Sequence, residues 1–251
     1  LAIDKKLGQE SDIARDLNNI GLVYKSWGKY DKALKYHEEA LAIDKKLGQE
    51  SDIARDLNYI GLVYDFLGQY DKAIKYHEEA LATYKKLGQE GDVATCLSNI
   101  GGVYDSWGKY DKALKYHEEG LAIDKKLGQE SDIAGDLNNI GMVYHDLDQY
   151  DKAINYLEEA LAINKKLGQE FDVGKNLNNI GLVYHDRDQY DEAIKNYKEA
   201  LDIARKLGQE GDVATCLSNI GLVYDSWGKY DKAIKNYKEA LDIARKLGQE
   251  G

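Results

Sequence analysis

Residues 11–50 read SDIARDLNNIGLVYKSWGKYDKALKYHEEALAIDKKLGQE, and the spacing of apolar residues in this stretch decides the fold. Ile13, Leu17, Ile20, Gly21 and Tyr24 recur at intervals of three and four, which places them on one face of a helix. Ser11 and Asp12 are expected to cap its start, and Gly28 can adopt the left-handed backbone that ends it. Tyr30, Ala33, Leu34, His37, Ala40, Leu41 and Ile43 repeat the period in a second run, closed by Lys45, Lys46, Leu47 and Gly48. Cations in a last turn complement the negative end of the helix dipole, and the glycine after them stops the helix. The stretch is therefore a hairpin of helix A and helix B, each about 16 to 18 residues and about 24 to 27 Å long.

The rest of the chain repeats this unit. LGQE begins at Leu7, Leu47, Leu87, Leu127, Leu167, Leu207 and Leu247, 40 residues apart each time. Six units follow at 11–50, 51–90, 91–130, 131–170, 171–210 and 211–250, and residues 1–10 read as the tail of a preceding helix B. At a fixed period of this length each unit buries its apolar face only against its neighbours. The expected fold is all-α, one α-α superhelix (solenoid) of six helical-hairpin repeats forming a single array. Residues 92–113 match 212–233 except for Gly102 against Leu222, a sign of recent duplication.

Composition narrows the function classes. With 43% hydrophobic residues in 251, the chain can build a sizeable core and is not globally disordered. A formal charge of −11 opposes the phosphate backbone that a nucleic-acid binder must neutralise, so neither nucleic acid nor an anionic membrane is expected as a partner. No run approaches the length of a membrane span, and the first ten residues lack the parts of a signal peptide, so a cytoplasmic protein is expected. The chain opens at Leu1 rather than Met, which reads as a piece of something longer.

Gly21, Ala33 and Ala40, with their copies Gly61, Ala73, Ala80, Gly101 and Ala113, lie on the inward stripes, where missing bulk lets helices approach. Together with Leu17, Ile20, Tyr24, Gly28, Tyr30 and Leu41, repeated six times, they make a pattern that resembles the tetratricopeptide repeat family over essentially the whole chain. The family's usual Pro after helix B is replaced by Lys45, Lys85, Lys125, Lys165, Arg205 and Arg245, which lets helix B run on by about a turn. The 40-residue unit is similar to the repeats of kinesin light chains and of Pins-type adaptors.

The resemblance implies a concave groove lined by helix A that binds a peptide or protein segment. Its floor would carry Arg15, Asn18, Asn19 and Leu22 in the first repeat. Later repeats would add Arg55, Asn58, Tyr59, Leu62, Asn99, Asn138, Asn139, Met142, Lys175, Asn178, Asn179, Leu182, Asn219 and Leu222. Asn is a mediocre helix former, so a row of it in mid-helix needs a compensating role. A carboxamide both donates and accepts, which suits holding the backbone of an extended peptide. The other reading is that these residues bridge neighbouring A helices. The apolar row Leu22, Leu62, Met142, Leu182 and Leu222 likewise suits either apolar anchors of a ligand or packing between A helices. The carboxylate clamp of chaperone-binding relatives is absent, because Asn18 and Leu22 stand at its places.

His37, His77 and His117 interchange with Leu157, Tyr197 and Tyr237 on the inward stripe of helix B, which argues for packing. His145 and His185 end two successive A helices and suit a capping or peptide-contact role better than a shared metal. Asp148 and Asp188 replace the turn Gly found elsewhere, so their turns are expected to be looser. Cys96 and Cys216 have no His in the same helix and read as structural thiols, too far apart to form a disulfide. No catalytic residue, metal or cofactor is expected. The function expected is a non-catalytic protein- and peptide-binding scaffold, and the alternative is a structural solenoid that self-associates end to end through uncapped faces. Gly102, Gly120, Gly135 and Gly174 replace better helix formers and mark the middle as the expected weak point.

Overall fold

The computed structural model describes residues 2–249, with side chains from 9 to 248. Twelve helices and no strand occur among the described residues. The chain forms two compact units, 1–128 and 129–251. The first holds α1 (Ala2–Ser26), α2 (Tyr30–Leu47), α3 (Glu50–Phe66), α4 (Tyr70–Leu87), α5 (Glu90–Ser106) and α6 (Tyr110–Leu127). The second holds α7 (Glu130–Asp146), α8 (Tyr150–Leu167), α9 (Glu170–Asp186), α10 (Tyr190–Leu207), α11 (Glu210–Ser226) and α12 (Tyr230–Gln249). Odd-numbered helices are the A helices and even-numbered ones the B helices. Within each unit every A helix packs on its own B helix, and each B helix on the next A helix, the arrangement of a helical-hairpin solenoid.

The turns follow from glycine. At the end of α2, Gly48 stands at φ 69°, its N–H bonds Lys45 O at 3.3 Å, and the Gln49 N–H reaches Asp44 O at 3.2 Å. This closure satisfies the last carbonyls of the helix with a left-handed residue that carries no Cβ penalty. It also moves the restart. The next helix is capped by Gln49, whose carbonyl takes the first bond from Ile53 at 2.9 Å, and Ser51 already lies inside the first turn.

The expected cap at Ser11 and Asp12 is thus corrected. In α1 the helix runs unbroken through both, because a continuous helix keeps the backbone bonds a capping hydroxyl would replace. The turns at Asp148 and Asp188 are not looser in geometry. They stand at φ 56° and 58° and repeat the glycine turn's bonds, with Gln149 N–H on Tyr144 O at 2.9 Å.

The small residues act as expected. A Cβ added to Gly21 would lie 2.6 Å from the His37 ring, and one on Gly61 2.7 Å from the His77 ring. Ala33, Ala73 and Ala113 are fully buried beside them. Each hairpin closes by pressing a bulky B-helix side chain against bare A-helix backbone. In unit two that side chain is Leu157, Tyr197 or Tyr237.

Candidate functional site

The A-helix row resolves into two positions with different environments. In three hairpins the second residue of the pair, an Asn, reaches back to the first Asn of the preceding hairpin. The Asn99 side-chain amide donates to Asn58 Oδ1 at 3.3 Å, that of Asn179 to Asn138 at 2.8 Å, and that of Asn219 to Asn178 at 3.0 Å. These amides bridge neighbouring A helices, which offsets the poor helix propensity of Asn. Asn99, Asn179 and Asn219 remain half-buried, and Asn19 and Asn139 are exposed.

Asn18 departs from the expectation of a groove residue. It is 3% exposed, its amide donates to Asp56 Oδ1 at 2.6 Å, and its Oδ1 faces His37 Nδ1 at 2.8 Å. Buried polar atoms must be paired, and Asn18 spends its capacity on that pairing rather than on a ligand. Asn58 likewise bonds His77 Nδ1. Tyr59 takes the second position of its pair and lies 5.2 Å from the His37 ring, so no amide rung forms there.

The remaining row stays accessible. Leu22, Leu62, Met142 and Leu182 are half-buried and Leu222 is exposed. Arg15 is exposed and pairs Asp12 at 2.8 Å. Arg55 pairs Asp52 at 2.7 Å and approaches Asp44 at 3.9 Å. Lys175 is exposed.

Beneath the row lies a feature that helical periodicity did not disclose: a buried polar pair at the α2–α3 junction of the first unit and at the α8–α9 junction of the second, whereas the α4–α5 and α10–α11 junctions carry Tyr84 with Cys96 and Ala204 with Cys216. In the first unit it is Asp44 and Asp56, 1% and 0% exposed and hydrogen-bonded to each other. Burial pushes the Asp56 carboxyl up to about 7, the Asn18 N–H opposing and the Asp44 charge adding to the rise. Burial raises Asp44 as well. One proton shared between two carboxyls removes the cost of two buried like charges. In the second unit the same places hold Asn164 and Asn176, and the Asn164 amide donates to Asn176 Oδ1 at 2.7 Å. The signal was present as Asp44 and Asp56, twelve residues apart across the turn at Gly48, and again as Asn164 and Asn176, but only packing brings each pair together.

His37, His77 and His117 are buried, as a packing role requires, and burial lowers each to about 4. Since Asn18 Oδ1 must accept, the neutral His37 ring donates from Nδ1, and its Nε2 is left without a partner. His145 and His185 each tie one A helix to the next: His145 Nε2 bonds Asp186 at 2.8 Å and His185 Nε2 bonds Ser226 Oγ at 3.0 Å. Burial lowers His145, but its bonds to Asp186 and Asp146 outweigh that and raise it. Among the described residues no group of three His, Cys, Asp or Glu converges as metal ligands would. Cys96 and Cys216 are buried free thiols that burial pushes up to about 12 and about 11, far from the thiolate a nucleophile needs. No helix among the described residues is long and apolar enough to cross a membrane.

Two tetratricopeptide repeat models match the sequence, one over 52–126 and 172–246, the other over 14–47 and 136–167. No curated protein matches it. Solved structures share the fold. BtubC (BKLC) from P. vanneervenii is 24% identical with a TM-score of 0.72 over 88% of this chain and 90% of that one. A Rap protein complexed with competence and sporulation factor is 17% identical with a TM-score of 0.73 over 94% and 76%. A putative kinesin light chain from Podosopora anserina with nearly identical repeats is 17% identical with a TM-score of 0.65 over 79% and 97%.

Proposed function

The chain belongs to the tetratricopeptide repeat family, and from that premise we propose a non-catalytic scaffold that holds an extended peptide along the A helices of each unit. The observation that carries this reading is the amide row. Asn99, Asn179 and Asn219 are each fixed by one donated hydrogen bond, yet remain half-buried with carbonyl oxygens that no described donor engages. Groups held in place before binding lose little freedom when a ligand arrives. Beside them the Leu62, Leu182 and Leu222 side chains offer accessible apolar contact. The Rap protein of similar fold is a complex with competence and sporulation factor, which is consistent with this use of the fold.

Panning a random peptide library against the protein and a Leu62→Lys, Leu182→Lys variant tests the proposal. The variant leaves the amide bridges intact, so its helicity is expected to match the parent's while the retained peptides are lost. Equal retention by both, or retention by neither, overturns the reading.

A further inference from the structure

Between α7, α8 and α9 lies an open hollow of 110 Å³ that the amide row alone does not explain. Gly135 leaves its α7 wall without a side chain. A Cβ built there meets nothing within 4 Å, whereas the same register in the second hairpin carries Arg55, whose guanidinium lies half-buried against Asp52 and Asp44. The floor carries Asn138, Asn164 and Asn176, the last two only 5% and 2% exposed. Their mutual bonds run from the Asn164 amide to Asn176 Oδ1 and from the Asn176 amide to Asn138 Oδ1 at 3.0 Å. That leaves the Asn138 N–H pair and the Asn164 Oδ1 without a described protein partner beside the open hollow, where a ligand can meet them.

We propose that this hollow is a subsite for a side-chain carboxamide, a Gln or Asn of the bound peptide. The assignment deepens the peptide-binding reading and rests on it for the source of the ligand. A carboxamide complements the floor in both senses: its C=O accepts from the Asn138 amide, and its NH2 donates to Asn164 Oδ1. The rim is electrically mixed, with the Lys175 ammonium and the Asp172 carboxylate both lining the hollow, so a neutral dipole fits better than an anion or a cation. Ser131 also lines it and already accepts from the Gln169 amide at 3.1 Å, leaving its hydroxyl hydrogen for a ligand oxygen.

The test uses N-acetylglutaminamide as probe, with the corresponding glutamate and norleucine amides beside it, titrated into isotope-labelled protein and read at the side-chain amide resonances of Asn138, Asn164 and Asn176. The glutamine probe is expected to shift these resonances and the other two to bind about tenfold more weakly. Gly135→Arg installs the residue that the first two hairpins carry at this register and removes a helix-interior glycine, so it is expected to fold and to abolish the shifts. Stronger binding of the glutamate probe, shifts that survive Gly135→Arg, or no shift at all overturns the assignment. Peptide panning separates the two readings. Retained peptides that lack Gln and Asn and still bind Gly135→Arg leave the scaffold standing without this subsite. A glutamine probe that binds while panning retains nothing leaves the subsite standing and removes the extended-peptide scaffold.

Discussion

The two compact units share a repeat but not an interior. In residues 1–128 the helix B stripe carries His37, His77 and His117, and the polar pair beneath the A-helix row is Asp44 with Asp56. In residues 129–251 the stripe carries Leu157, Tyr197 and Tyr237, and the pair is Asn164 with Asn176. One backbone therefore accepts either a titratable or a neutral core at the same registers, provided that each polar atom finds a partner. The consequence lies in energetics: the helix B stripe of the first unit carries three buried imidazoles that make its stability depend on pH in the physiological acid range, and the stripe of the second carries none.

Acid exposes the contrast most strongly. Burial lowers the three imidazoles from the ordinary 6.5 of histidine to about 4, so their stabilisation is present above 6.5 and is lost as pH falls toward 4. At pH 5 each costs about 2 kcal/mol. Asp56, raised to about 7, acts in the opposite sense: its contribution is present at low pH and is lost as pH rises through 7. Three imidazoles outweigh one shared carboxyl proton, and the net loss for the first unit is on the order of a few kcal/mol. His145 in the second unit is raised by Asp186 and Asp146 against the effect of its burial, so its contribution is kept in acid and lost as pH rises. Hydrogen exchange at pH 7 and pH 5, corrected for intrinsic rates, is expected to show protection falling in 30–128 and holding in 150–226. Equal change in both would break the comparison.

Packing separates the units less widely. Gly61→Ala drives a methyl to within 2.7 Å of the His77 ring, which is rigid and tied to Asn58, and is expected to cost about 1 to 3 kcal/mol in denaturant unfolding. Gly141→Ala meets Leu157 Cγ at 2.8 Å and Ala153 O at 3.2 Å, and because the leucine can rotate about its own bonds where the tethered ring cannot, it is expected to cost less. The reverse order would show that the imidazole, not the leucine, is the yielding partner.

Converting the first unit's pair to the second unit's sharpens the contrast. Asp44→Asn with Asp56→Asn removes the group whose pKa is raised, so the decline in stability between about pH 4 and pH 7 attributed to Asp56 is expected to vanish, with a gain on the order of 2 kcal/mol at pH 8. Unfolding midpoints for the double variant and parent across that range check it. A parallel pH profile for the two proteins would mean that the shared proton contributes nothing.

How much of this was legible follows a physical line. Helix identity, turn position and the Gly against His packing are local consequences of period and backbone sterics, and residues 11–50 alone display them. The cap was misplaced because Ser11 was judged by its own preference, whereas the closing bonds of Gly48 and Gln49 govern where the next helix begins. Asn18 was expected in the groove because a helical wheel cannot tell an outward-facing amide from one drawn inward by Asp56 and His37, residues 38 and 19 positions away. The hollow at Gly135 was legible only as a weak helix former. Its chemistry depends on Asn164 and Asn176, which belong to different hairpins.

The smallest effect concerns the turns between helix A and helix B. In the first unit all three carry glycine in the left-handed region, at Gly28, Gly68 and Gly108, whereas the second unit has Asp148, Asp188 and Gly228. A Cβ in that conformation costs about 1 to 2 kcal/mol. Asp148 offsets part of this by accepting from the Tyr150 hydroxyl at 2.8 Å, an exposed bond whose contribution is about 0.5 kcal/mol. Asp148→Gly releases the strain and forfeits the bond, and the freer unfolded chain takes back a further part of the gain. The balance is a stabilisation of about 0.5 kcal/mol. Asp148→Ala keeps the strain and still forfeits the bond, so it is expected to fall below the parent by about the same amount. Thermal midpoints in the order Gly, Asp, Ala would establish that backbone strain dominates these turns, and Asp above Gly would assign the dominant role to the bond with Tyr150.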